Sequence, residues 1–238
     1  MSTTTDAPVA TATAIVLPSA KRAATQKDPG ILVIYGQSKV GKTKMLTELD
    51  DCLIIDTEGG TKTYDALTYE VNDLTTLMNV LRELNKPENK GRYKYIAVDT
   101  LDNICNWFEA SIAIAHKVKN IADIPYGAGY GIHRDKVLTF MKNLRKIGPR
   151  IIVTGHRKKA IIGETSVEVS TTSLDLTGKL KNIVSAEADA IGYVYRKKNE
   201  LMISFETSDE LEVGSRCAHL SGKNMEFKWE NIFIDSAN

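Results

Sequence analysis

The sequence predicts an α/β fold: a mainly parallel sheet covered by helices on both faces, with antiparallel edge strands near the C-terminus. Two observations carry this. Short apolar runs of strand length, ILVIY (31–35), CLIID (52–56), YIAVD (95–99) and RIIVTG (150–155), read as strands buried on both faces. Segments with apolar residues at helical spacing alternate with them, which is the pattern of a parallel sheet built from crossover units. The 238 residues are 42% hydrophobic, enough apolar material for one substantial core.

Residues 1–29 are rich in Ser, Thr and Ala and close on the turn signal Lys27-Asp28-Pro29-Gly30. They read as a mobile N-terminal arm ahead of a single domain, 30–238, although the stretch 13–17 can also add an edge strand or dock on a neighbouring subunit. The first strand, 31–35, leads into a helix over 42–49, and the second strand follows at 52–56. Leu74, Leu77, Met78, Leu81 and Leu84 fall on one helical face, and 85–91 is a polar break. The third strand, 95–99, precedes a helix over 101–119. Gly127, Gly129 and Gly131 suggest a flexible loop before an amphipathic helix over 133–147 and the fourth strand, 150–155. His133-Arg134-Asp135 resembles a protein-kinase catalytic loop, but no D-F-G or G-x-G-x-x-G accompanies it, so it reads as a helix start. Beyond His156 a polar Thr/Ser-rich segment runs to about 177. A short helix comes next, then runs at 191–195, 201–205 and 227–234 that read as antiparallel strands.

Charge and cysteine content narrow the function classes. Lys+Arg 31 against Asp+Glu 30 leaves a net charge of +1, so a polyanion site has to come from local clustering. Cys52, Cys105 and Cys217 show no metal-binding or redox spacing and read as buried thiols of a reducing compartment. The N-terminus lacks a basic segment followed by a long apolar run, which predicts a cytoplasmic protein without membrane association.

Directly after the first strand stands Gly36-Gln37-Ser38-Lys39-Val40-Gly41-Lys42-Thr43, a complete G-x-x-x-x-G-K-T between a strand and a helix. Glycines let backbone N–H groups turn inward around phosphate oxygens, the helix start adds partial positive charge, Lys42 reaches the β/γ-phosphates and the Thr43 hydroxyl ligates Mg²⁺. ATP and Mg²⁺ are therefore the expected ligands. The metal carboxylate belongs at the end of another buried strand, where YIAVDT places Asp99. Thr100 follows it rather than a glutamate, so a general base must come from elsewhere. The second strand ends in Asp56-Thr57-Glu58-Gly59-Gly60, which offers Glu58 to polarise a water; Asp56 can compete with Asp99 for the metal.

These stretches resemble a family. IIDTEGG is similar to the strand and catalytic glutamate of RecA-like recombinases, and YIAVDTLDNI to their metal-binding strand. The series IYGQSKVGKT, IIDTEGG, YIAVDTLDN, YGAGYGIHRD and IIVTGH, spanning about 31–196, resembles more closely the compact phage-encoded RecA-like ATPases of the AAA-domain family, some of which anneal single strands. The resemblance implies a RecA-like P-loop fold, with His156 at the end of the fourth strand where such proteins usually carry a γ-phosphate-sensing Gln.

It also implies a partner. From Arg134 to Lys159 basic residues accumulate with Asp135 as the one acid. In RecA-like proteins two loops at this end of the sheet face the DNA; the matching stretches are 126–131 and 157–177. Arg157, Lys158 and Lys159 can hold a phosphate backbone there, and Tyr126 and Tyr130 can stack on bases. A basic residue from an adjacent subunit completes the site in such ATPases; Arg216 is the candidate for that trans finger, with Lys179 and Arg196 as others. The sequence thus reads as an ATP-binding, ATP-hydrolysing homo-oligomer acting on single-stranded DNA in recombination or annealing. A nucleotide-gated interaction module without DNA binding, and a small-molecule P-loop kinase, are the alternatives.

Overall fold

The computed structural model describes residues 17–162 and 169–236. Its strands in chain order are β1 (Ile31–Gly36), β2 (Cys52–Asp56), β3 (Thr68–Glu70), β4 (Tyr95–Asp99), β5 (Ile151–Ile162), β6 (Val169–Leu174), β7 (Ala190–Lys197), β8 (Glu200–Ser204), β9 (Gly214–Ser215) and β10 (Asn224–Glu226). The helices are α1 (Lys42–Thr47), α2 (Leu74–Leu84), α3 (Leu101–Ala115), α4 (Ala128–Ile147), α5 (Leu180–Glu187) and α6 (Trp229–Ile232). They form a ten-stranded sheet in the order β10-β8-β7-β1-β5-β4-β2-β3, with β6 beside β5 and β9 beside β7. From β7 to β3 neighbouring strands run parallel, while β8, β9 and β10 are antiparallel to their neighbours.

Strand alternation sorts the core into two layers. Ile31, Val33, Ile55, Val98 and Val153 face the cluster closed by α2, α3, α4 and α5, whereas Leu32, Ile34, Ile54, Ala97 and Ile152 face α1 and the C-terminal Trp229, Ile232 and Phe233. Both faces are therefore covered by helix, as the apolar runs require. All three cysteines are buried and unpaired, and burial alone pushes the Cys52 thiol up to about 12. Among the described residues no helix is long and apolar enough to cross a membrane.

Several expectations need correction. Gly129 and Gly131 belong to α4, which begins at Ala128, so His133-Arg134-Asp135 lies inside the helix and not at its start. A Cβ on Gly129 would sit 2.2 Å from the Ile121 carbonyl oxygen, so this glycine serves close helix packing; the chain reverses instead at Tyr126 and Gly127, at φ 59° and 69°. The helix expected to reach 119 ends at Ala115. The fourth strand does not stop at 155 but continues to Ile162 as a hairpin with β6, in the register Arg157↔Leu174. β7 is parallel to β1, so it belongs to the central sheet. The run 227–234 is not a strand: Trp229 starts a short helix, donates its indole N–H to the Met45 carbonyl at 2.6 Å and stacks on Phe233 to close the α1 face. Residues 17–27 of the expected arm are exposed, while Asp28 is buried and accepts from Arg150 and the Ile234 N–H. Residues 1–16 of that arm lie outside the described residues, as do 163–168 of the second loop.

Candidate nucleotide site

The G-x-x-x-x-G-K-T loop joins β1 to α1 at the C-terminal end of the sheet. Gly36 has no room for a side chain, since a Cβ there would meet the Val194 carbonyl oxygen at 2.4 Å, and Gly41 adopts φ 124°, which L side chains rarely take. Lys42 is buried and its ammonium donates to the Gly36 and Gln37 carbonyls at 3.3 and 3.1 Å, curling over the loop. Burial lowers the pKa of this ammonium, against the opposing pull of Asp99, Asp102 and Glu58. From the β7–β8 hairpin Arg196 donates to the Val40 carbonyl at 3.1 Å, bracing the loop from outside.

Asp99 ends β4 and is 2% exposed. It accepts the Thr43 hydroxyl on Oδ2 at 2.6 Å and the Thr154 hydroxyl on Oδ1. The register explains the meeting: β5 lies between β1 and β4, and Thr154 is two residues on from Ile152, so it shares the α1 face with Ala97 and Asp99. Asp56 pairs with Asp99 across β2 and β4 but is used differently. Its Oδ1 accepts the N–H groups of Glu58, Gly59 and Gly60 at 2.9, 2.8 and 3.3 Å, and its Oδ2 the Thr61 N–H and hydroxyl at 2.9 and 2.6 Å. Burial would raise its pKa, but these hydrogen bonds outweigh it and hold the carboxyl below the ordinary range. Asp56 therefore shapes the turn that carries Glu58.

Glu58 meets two groups that were not among the expected site residues, Thr100 and Asp102. The Thr100 hydroxyl lies 3.1 Å from Glu58 Oε1 and 3.3 Å from Asp102 Oδ2. Asp102, in the first turn of α3, contacts His156 Nδ1 through Oδ2 and accepts the His156 N–H on Oδ1 at 3.2 Å. His156 Nδ1 is 3.8 Å from Glu58 Oε1. One polar atom from each of Glu58, Asp102 and His156 thus falls within 4.8 Å of the other two. Burial raises the Glu58 pKa most; His156 and the Thr100 hydroxyl oppose the rise, and Asp99 and Asp102 add to it. Strand alternation through Ile152 was the signal that could have found Thr154, whereas nothing in the spacing of VDTLDN distinguishes Asp102 from a solvated helix-start acid.

The remaining candidates are distributed over several elements. Arg157 turns toward the phosphate loop, donating to Gln37 Oε1 at 3.2 Å and to the Tyr193 hydroxyl at 3.1 Å. Lys158 and Lys159 are exposed on β5, with Lys158 3.6 Å from Asp175. Tyr126 is fully exposed and Tyr130 partly so. Arg216 donates to the Ala186 carbonyl at 2.8 Å and sits 3.6 Å from Asp189, the residue that accepts the Gly30 and Ile31 N–H groups. It therefore lies at the N-terminal end of β1, the end away from the phosphate loop of its own chain. Lys179 precedes α5 and is exposed.

Residues 29–222 match the family model described as an AAA domain. No curated protein matches the sequence at a significant level. Among solved structures the chain is similar to one described as the crystal structure of the RadB recombinase, at 14% identity and a TM-score of 0.45, over 83% of this chain and 86% of that one.

Proposed function

The chain belongs to the AAA domain family, and from that premise we propose that it binds and hydrolyses ATP in the presence of Mg²⁺ and acts on single-stranded DNA in recombination or annealing. The observation that carries the nucleotide reading is the convergence of Lys42, Thr43, Asp99 and Glu58 from three different strand ends. The donor set suits the ligands. Thr43 and Asp99 present a close pair of hard oxygens, the ligand type Mg²⁺ selects, and the glycines of the loop leave its backbone free to approach phosphate. Bound Mg²⁺ supplies charge neutralisation on the phosphate oxygens.

Lys42 uncurls from the Gly36 and Gln37 carbonyls to meet the β/γ-phosphates, and Ser38, Lys39 and Val40 present backbone N–H groups to them. Glu58 takes the proton of the attacking water; a carboxylate with a raised pKa is the better-matched base. His156 stands beside it as the phosphate-sensing group. Tyr126 and Tyr130 offer exposed rings, and Lys158 and Lys159 exposed ammonium groups, for a single strand. Arg216 lies at the opposite end of the sheet from the loop, which suits a head-to-tail homo-oligomer in which one subunit's Arg216 reaches its neighbour's nucleotide.

ATP turnover with and without single-stranded DNA across a salt series tests the whole reading. Turnover that single strands stimulate, less so as salt rises, supports it. Turnover without any DNA binding at low salt replaces the DNA assignment with a nucleotide-gated interaction module, and absence of turnover removes the ATPase.

A further inference from the structure

Two carboxylates lie near Nδ1 of His156, and only one of them can take its proton. Asp102 engages that residue twice, at the ring through Oδ2 and at the backbone N–H through Oδ1, whereas Glu58 Oε1 is 3.8 Å from Nδ1, beyond hydrogen-bond reach. We infer that Asp102 is a positioning residue of the nucleotide site: it holds His156 with the proton on Nδ1, keeping the ring off Glu58 so that Glu58 stays available as the base and Nε2 stays free for the nucleotide. The inference rests on the ATPase reading above.

The chemistry follows from proton counting. A carboxylate accepts only, so the contact with Asp102 requires Nδ1 to be the donor. Among the described residues Nε2 makes no hydrogen bond, so it is the ring atom left for a ligand. A carboxylate hydrogen-bonded on the Nδ1 side of a histidine sets the tautomer and orientation of the ring, and Asp102 is half-buried in that position. Thr100 strengthens the partition. Its single hydroxyl proton lies within reach of both Glu58 and Asp102, so it can satisfy only one of them at a time. When Asp102 has the ring proton, the Thr100 proton goes to Glu58. Without the Asp102 carboxylate, the imidazole N–H has Glu58 as its nearest acceptor and would tie up the base. A purely structural role, tying the start of α3 to the middle of β5, would need only the backbone contact with Oδ1.

Nitrogen-15 histidine spectra of the full-length protein read the tautomer directly, with the His156 signals identified by their loss in His156→Gln among the 4 histidines. The wild-type ring should show a protonated Nδ1; a wild-type ring protonated only on Nε2 overturns the inference without any further variant. Asp102→Asn, nearly isosteric, should lower kcat by about tenfold or more while nucleotide Kd changes by less than about threefold. In a His156→Ala background the same Asn substitution should have almost no further effect on kcat, because the group it acts through is gone. Equal losses of kcat in both backgrounds make Asp102 merely structural. A wild-type protein without turnover overturns the ATPase reading instead, and the tautomer still reports on Asp102 separately.

Discussion

Asp56→Ala should unfold the protein more easily rather than weaken its grip on metal. Asp56 is 1% exposed and Thr61 4% exposed, so removing the carboxylate leaves the Thr61 N–H buried without its acceptor. That costs about 1–3 kcal/mol. The Thr61 hydroxyl keeps an alternative partner in the Thr68 hydroxyl at 3.1 Å, and the Glu58 and Gly59 N–H groups lie where water can partly replace the lost bonds. Those losses add roughly 0.5–1.5 kcal/mol each before rehydration, for a total of about 3 kcal/mol. Urea unfolding at neutral pH measures it. The acid dependence supplies a second reading: the folded pKa of Asp56 is depressed, so its stabilisation is fully present above the unfolded value, near 3.9, and lost as pH falls through the lower folded value. The gap between wild type and variant should therefore narrow below about pH 4. A neutral-pH difference under about 1 kcal/mol would falsify the anchoring role of this carboxylate.

Three other expectations concern the site itself. Lys42→Ala and Asp99→Ala should each abolish the stabilisation that Mg²⁺ and nucleotide give the wild type, about 2.7 kcal/mol at a hundredfold excess over Kd, read as a rise in melting temperature of a few degrees; a retained shift in both removes the phosphate-loop assignment. Glu58→Gln should bind nucleotide normally and turn it over about 10²–10⁴-fold more slowly, and the wild-type rate should fall with acid at a pH above the ordinary carboxylate range because burial raises the Glu58 pKa. Neutralising Lys158 and Lys159 together should flatten the slope of log DNA affinity against log salt by about 1.4, whereas Arg157→Ala should leave that slope unchanged and weaken nucleotide binding, since Arg157 faces Gln37.

What could be read from the sequence follows a physical division. The runs 31–35, 52–55, 95–98 and 151–153 were legible because each is buried on both faces and apolar at every position, so no neighbour is needed to recognise it. The phosphate loop was legible because its chemistry is contiguous in sequence. β6 escaped because its four central positions, 170–173, are all Ser or Thr: Thr171 and Ser173 are buried, so polarity does not mark the outer face. The stretch 227–234 looked like a strand because Phe227, Trp229, Ile232 and Phe233 are β-formers, yet they fill a cap over the α1 face that only tertiary packing defines. Asp102 was missed for the opposite reason. It sits where any helix accepts an acid, and only the arrival of β5 beside α3 gives it His156 as a partner.

The carboxylates around the loop also set what the site can accept. Glu58, Asp99 and Asp102 act together on the Lys42 ammonium, each raising its pKa against burial, so they share one electrostatic neighbourhood with a single lysine. Hydroxyls from Thr43 and Thr154 solvate Asp99 without neutralising it, and Asp56 is absorbed by its own turn. A nucleoside triphosphate brings several further negative charges to this place. Lys42 would offset one of them, and phosphate oxygens brought close to the Asp99 carboxylate would meet repulsion at short range in a partly dry setting, where screening is weak. Were the site to take a divalent cation, Thr43 and Asp99 would be the groups to hold it, and its charge would offset that repulsion. On the proposed reading metal and nucleotide would bind as one unit, and removing the Asp99 carboxylate should weaken nucleotide binding even though it removes a negative charge. That sign is what separates a metal-bridging carboxylate from one that merely stands near an anion.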